Sequence, residues 1–140
     1  MLRRCACIAL AVMLVGLATA HAADTTLTLA CQGTTTFGTE DAKPEPISMG
    51  IIVNFAARTV QGFGAPGILD YPIKITAWND VTVAFLGSLD LKGSRSSTRG
   101  SIDRVTGDVE ATSMVTDPKT GKIVASTSYA LKCRPTQRMF

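Results

Sequence analysis

Histidine occurs once in this 140-residue chain, at His21. It sits in a segment that reads as a leader. Arg3 and Arg4 precede an apolar run from about Ile8 to Leu17, and Ala20-His21-Ala22 supplies a small-x-small cleavage motif. That is the pattern of a secretory signal peptide, so residues 1–22 are expected to be removed and residues 23–140 to form one domain. The run is shorter than the roughly 20 residues needed to cross a bilayer, and no second one follows, which predicts a mature chain with no membrane span. Cleavage also removes Cys5 and Cys7. Without an imidazole, no Ser-His or Cys-His nucleophile pair and no histidine metal site can be assembled.

An excess of charge of one sign is also missing. Taking Arg3 and Arg4 from the 14 basic residues leaves 12 against 11 acidic ones. The electrostatic footprint of a nucleic-acid binder is therefore not there. Glycines are dispersed over turns and strands, and none forms a phosphate-cradling loop. Asp70, Asp80, Asp90, Asp103, Asp108, Glu110 and Asp117 mostly sit beside Gly, Pro, Asn or Thr, where a short carboxylate organises a turn. An enzyme working through paired carboxylates alone is the least favoured of the readings. No catalytic residue, metal site or cofactor is assigned.

Two cysteines remain, Cys31 near the start and Cys133 near the end. In an exported protein they read as one structural disulfide. A loop of that size is stabilised by about 4 to 5 kcal/mol in the chain-entropy model, less any strain. A redox-active pair would want Cys-x-x-Cys spacing or a helix N-terminus to lower a thiol pKa, and has neither. Thr28-Leu29-Ala30-Cys31 loosely resembles a lipid-attachment site. The intervening polar residues Asp24, Thr25, Thr26 and Thr28 favour cleavage near Ala22 instead.

Beyond the leader the text alternates in short runs rich in Thr, Val, Ile and Gly, with turn residues every 8 to 15 positions. No stretch carries a helical period, so an antiparallel all-β domain is expected. Strands are predicted near Thr25 to Cys31 or on to Phe37, Ile47 to Phe55, Thr59 to Phe63, Pro72 to Trp78, Val81 to Gly87, Thr98 to Asp103, Asp108 to Thr116 and Lys122 to Cys133. Gly38 to Pro46 is a polar loop.

Register can be read at the hairpins. Pairing Phe55 with Val60 places Ile51, Val53, Phe55, Val60 and Gly62 on one face. Pairing Ile102 with Val109 adds Ala111 and Val115. A three-residue loop at Trp78-Asn79-Asp80 sets Ile73, Ile75 and Ala77 against Val81, Val83 and Phe85. Leu27, Leu29 and Cys31 face inward, as do Ile123, Ala125, Thr127, Tyr129, Leu131 and Cys133. A meander of about eight strands with one apolar face hides its edges by curling into a small barrel or a two-layer sandwich. In an eight-stranded barrel, the Cys31 to Cys133 bridge fits only if the first strand runs on to about Phe37 or if the strand count is off by one. If the interior is hollow, these inward residues predict an apolar ligand.

Phe140 at the C-terminus resembles the last residue of outer-membrane barrels, but alternate positions back from it are Arg138, Thr136 and Arg134, which lipid does not tolerate cheaply. The segment Leu91 to Arg104 is the least ordinary one. Its Lys92, Arg95, Arg99 and Arg104 predict a flexible cationic loop able to grip an anionic polymer, a lipid head group or an acidic protein cleft. Tyr71 and Trp78, at hairpin ends, are aromatics that plug the core or stack on a ligand at a rim.

The framing Leu29-Ala30-Cys31-Gln32-Gly33, Ile102-Asp103-Arg104-Val105-Thr106-Gly107 and Tyr129-Ala130-Leu131-Lys132-Cys133 resembles small exported bacterial proteins of uncharacterised function. The overall plan is similar to lipocalin-like or avidin-like barrels and to small periplasmic inhibitors of lysozyme or proteases. That resemblance carries no activity across; the lack of catalytic side chains beside an export signal and a disulfide leads to the expectation of a periplasmic or secreted binding protein. The expected function is non-enzymatic binding of a small ligand, an envelope protein or an anionic polymer, with Lys92, Arg95, Arg99, Arg104, Tyr71 and Trp78 as the binding surface. The alternatives are an inhibitor of a secreted hydrolase and a structural or interaction protein of the cell envelope.

Overall fold

The computed structural model describes residues 25–38, 42–63 and 71–136. The leader, residues 39–41 of the polar loop, the Gly64-Ala65-Pro66-Gly67 stretch and Phe140 lie outside the described residues. Among the described residues the chain forms eight strands: β1 (Thr26–Phe37), β2 (Glu45–Asn54), β3 (Thr59–Gln61), β4 (Ile73–Trp78), β5 (Thr82–Leu91), β6 (Ser94–Asp103), β7 (Asp108–Thr116) and β8 (Ile123–Pro135). Each pairs antiparallel with the next, and β1 pairs with β8, so the sheet is a closed barrel and not a sandwich. Closure leaves no first or last strand at an open edge, which is how a meander with one apolar face avoids edge-to-edge association.

The alternation of side chains gives the barrel its two surfaces. Leu29, Ile51, Val53, Val60, Ile75, Val83, Ile102, Val109 and Leu131 are buried inside. Gln32, Lys74, Arg99, Glu110, Lys132 and Arg134 are exposed outside. The β6 to β7 register is the one predicted, with Ile102 opposite Val109. At β2 to β3, Val53 and not Phe55 faces Val60, a slip of two that keeps every other side chain on its face. Phe55 falls in the turn instead. The β4 to β5 hairpin departs further: a bulge between Ile75 and Ala77 sets Ile75 opposite Phe85 and Trp78 opposite Val83. The extra residue turns Ala77 outward, and Val81 falls in the turn before β5.

Three of the turns are built alike. In β6 to β7, Asp103 Oδ1 accepts the Val105 and Thr106 amides at 2.8 Å, Gly107 N donates to Asp103 O at 2.9 Å, and Gly107 has φ 78°. Asp117 and Gly121 repeat this between β7 and β8, with Lys119 N on Asp117 Oδ1 at 2.8 Å and φ 68° at Gly121. Between β2 and β3, Asn54 Oδ1 accepts Ala57 N at 2.8 Å, and the fifth position is Arg58, left-handed at φ 54°. A side-chain acceptor at the first position and a left-handed residue at the fifth are what each four-residue loop demands.

Cys31 and Cys133 lie directly opposite each other on β1 and β8 and form a disulfide with a Cα to Cα distance of 4.0 Å. Both point inward, and β1 runs through to Phe37, which is the continuation the bridge requires. With its sulfur in this bond, Cys31 is no lipid-attachment site. The bridge closes a loop spanning 102 positions and fastens the seam where the two ends of the sheet meet. A buried disulfide of this kind belongs with an oxidising, extracellular or periplasmic setting.

The chain direction gives the barrel two rims. The lower one carries the start of β1, the β2 to β3, β4 to β5 and β6 to β7 turns, and the end of β8. The upper one carries the other four connections.

Candidate functional site

The lower half of the barrel is filled by the aliphatic side chains just named. Three aromatic rings lie above them. Phe63 stacks on Phe85 at 5.1 Å between centroids, and Tyr129 meets Phe63 edge-on at 5.5 Å. Gly100, on β6 opposite Phe85, makes room for this group: a Cβ there would stand 2.6 Å from the Phe85 ring and 2.5 Å from Glu110 O. Toward the upper rim the interior opens into a cavity of about 400 Å³, with Phe63, Val60 and Ile73 on one side and β6, β7 and β8 on the other. Its size falls within the range of small-molecule sites, roughly 300 to 1,000 Å³.

The wall formed by β6 to β8 is mixed: Ser96, Thr98, Ser113 and Thr127 bring hydroxyls to it, and Met114, Val115 and Ala125 bring apolar surface, whereas the Ser126 hydroxyl donates to Gly38 O. Register explains the set. Counting back from Ile102 in steps of two along β6 gives Thr98 and Ser96 on the inner face, and counting on from Val109 along β7 gives Ser113. Thr98 and Ser113 are directly opposite, and their hydroxyls are hydrogen-bonded at 2.7 Å.

Tyr71, just before β4, reaches across to the same pair: its hydroxyl forms a short hydrogen bond with Thr98 Oγ1, and Ser96 Oγ lies 3.5 Å away. Gly87, opposite Thr98 on β5, leaves the path open. A Cβ there would stand 2.9 Å from Ile73 Cα and 3.0 Å from Pro72 O. Thr98 and Ser96 are buried polar residues, satisfied within this chain. Among the described residues lining the cavity there is no acid, lysine, arginine or histidine. Burial, with Tyr71 adding a smaller share, pushes the Tyr129 hydroxyl above its ordinary value, so it stays protonated through the neutral range.

Comparison with family models, with curated proteins and with solved structures returns no match.

Of the six residues expected to bind, only Tyr71 lines the cavity. The cationic loop does not exist as such: Ser94–Asp103 is strand β6, and only Lys92 and Gly93 form the turn. Alternation puts Arg95 and Arg99 on the outer face, with Arg95 Nε 3.5 Å from Asp90. Lys92 is at the upper rim and Arg104 at the lower one, about 30 Å apart along a ten-residue strand. Tyr71 and Trp78 are likewise separated by the length of β4. Trp78 neither plugs the core nor approaches the cavity. It is 44 % exposed, and Arg58 lies 4.9 Å over its ring. Beside it Arg104 sits 5.6 Å over Phe55 and donates to Asn79 O at 2.6 Å. The basic and aromatic residues thus pair with one another at the lower rim. Sequence reasoning missed Phe63, Ser96, Thr98 and Ser113, although the Ile102 to Val109 pairing, extended upward, places three of them inside.

Proposed function

We propose that this chain is an exported, non-enzymatic protein that holds a small molecule in the upper half of its barrel. The observation that carries this reading is the division of the interior. One half is a packed aliphatic core, whereas the other is an open cavity lined by an aromatic ring, by aliphatic side chains and by the hydroxyls of Ser96, Thr98 and Ser113. A protein that needed only to fold would gain more from filling that space, because burial of apolar side chains is the main source of stability.

The export reading is supported by the leader pattern of residues 1–22 and by the disulfide, which points to the periplasm or the exterior. The outer wall carries Lys74, Arg99, Glu110 and Arg134 and the inner wall carries aliphatics, the reverse of a barrel embedded in lipid. Asp103, Asp108 and Asp117 hold their carboxyls below the ordinary range because they accept hydrogen bonds from Thr106 and Val105, from Lys132, and from Lys119, and all three serve exposed turns and none lines the cavity.

Native mass spectrometry of the protein taken from its own compartment tests the proposal. The expected result is the mass of residues 23–140 less two hydrogens, together with a non-covalent adduct that leaves on denaturation. A bare mass in every preparation would overturn it. A second reading, docking to a protein such as a secreted hydrolase, is favoured by the lower rim. There Val105, 74 % exposed, and Val81, 50 % exposed, stand at the tips of adjacent turns beside Trp78. A dose-dependent loss of hydrolase activity, abolished in Val105→Asp, would establish it, and a flat panel would end it.

A further inference from the structure

Resting on the reading of the cavity as a ligand site, we infer that its ligand is an uncharged ring compound bearing a hydroxyl or carbonyl oxygen, with that oxygen bound at Ser113. The argument begins with protons. Tyr71, Thr98 and Ser113 form a chain of three hydroxyls joined by two hydrogen bonds, in each of which either oxygen can donate. Three protons serve two bonds, so one is left over; Thr98 is 1 % exposed and meets only these two hydroxyls, so its own proton is spent within the chain and the surplus lies at an end. A phenol is a better donor and a poorer acceptor than an alkyl hydroxyl. Tyr71 therefore donates to Thr98, Thr98 donates to Ser113, and the unspent proton is on Ser113 Oγ. Ser96, at 3.5 Å from the Tyr71 oxygen, stands on the accepting side of that phenol.

The remaining walls set the rest of the ligand. Phe63, stacked on Phe85, lines the cavity, and Val60 and Ile73 extend that apolar side. A flat apolar body lies against that side while its oxygen meets the hydroxyls opposite. A charged ligand would lose its hydration and find no opposite charge among the described lining residues, and burying an unpaired charge is far more costly than burying a hydroxyl that gains a hydrogen bond. Thr98 acts as a positioning residue: its bond to Ser113 orients the group that touches the ligand.

Three probes share one ring system and differ only at the polar group: naphthalene, 1-naphthol and 1-naphthoate. Titrated at pH 7 into the oxidised protein, 1-naphthol is expected to bind about 3- to 10-fold tighter than naphthalene, the ratio set by one net hydrogen bond, and 1-naphthoate weakest of all. Ser113→Ala should erase the advantage of naphthol and leave naphthalene unchanged. Thr98→Val should reduce that advantage and Thr98→Ser restore it, with the disulfide and the far-ultraviolet spectrum confirming that each variant is folded. Naphthoate binding tightest, or naphthol keeping its advantage in Ser113→Ala, would overturn the ligand class while leaving the cavity as a binding site. Failure of all three probes to bind would remove the cavity itself and the inference with it.

Discussion

Asp103 shows how much one side chain does at a turn. Its carboxylate accepts two amides of the β6 to β7 loop at 2.8 Å, which is why its protons bind more weakly than in an unfolded chain. Because the folded value is depressed, the unfolded state takes up protons first as pH falls. The stabilisation is complete above the ordinary carboxylate pKa near about 4 and is lost as pH drops through the folded value. Asp108 and Asp117 act in the same direction. Thermal unfolding followed from pH 7 to pH 3 should therefore show a level midpoint above about pH 5 and a decline below it. Asp103→Asn should keep the turn, since Asn79 makes the same kind of bonds to Val81 N and Thr82 N at 2.8 Å, and should shrink the acid decline. Asp103→Ala should lower the midpoint at every pH. The motif Asp103-Arg104-Val105-Thr106-Gly107 was readable as a turn because each residue type has a local reason to be there. Thr98 and Ser113 carry no such local reason. Their place inside the barrel follows only from register carried four residues along each strand from the Ile102 to Val109 pair.

The hairpins test how far one turn design can be stretched. Gly107 and Arg58 occupy the same left-handed fifth position, and for a residue with a Cβ that conformation costs about 1 to 2 kcal/mol. Gly107→Ala adds that cost and drives a Cβ to 2.3 Å from Cys133 O, so urea unfolding should show a loss of about 2 kcal/mol or more. Arg58→Gly removes the strain but also the guanidinium stacked on Trp78, worth about 0.5 to 1 kcal/mol at an exposed site. The expected order of stability is Gly above or level with Arg, and Ala below both. Strand β6 carries the opposite lesson about legibility. Ser94-Arg95-Ser96-Ser97-Thr98-Arg99 has the composition of a loop, yet alternation assigns Ser96 and Thr98 to the cavity and Arg95, Ser97 and Arg99 to the outer face. Composition alone conceals that division, because small polar side chains mark a strand only when the space they face is hollow. Arg95→Ala with Arg99→Ala is accordingly expected to leave ligand uptake unchanged and stability within about 0.5 kcal/mol. The Trp78 misplacement has a different origin: the bulge after Ile75 inserts one residue that no pattern of alternating apolar residues announces.

At the scale of the whole molecule the barrel depends on its seam. Replacing Cys31 and Cys133 by Ser should lower stability by about 2 to 4 kcal/mol in urea unfolding, and reductant should do the same to the parent protein and nothing to the variant. The number of strands, their order and the inward cysteines followed from periodicity and turn spacing, whereas closure into a barrel over a sandwich did not. That choice is made by β1, whose Thr26–Phe37 span is long enough to pair with β2 along one edge and β8 along the other. The pairing of the first strand with the last brings the two ends of the sheet to the same rim, where Thr136 N donates to Thr28 O at 2.9 Å. Topologically the polypeptide is then nearly a ring, and where it is cut is arbitrary. Linking residue 136 to residue 25 by a short glycine-serine bridge and opening the chain between Lys92 and Gly93 should yield a permutant with the same spectrum, the same crosslink and the same cavity. In that molecule the disulfide would join two strands near the middle of the sequence and enclose a loop of about 15 residues in place of one spanning 102 positions, so its contribution to stability should fall by about 1 to 2 kcal/mol, although not one contact in the folded state has changed.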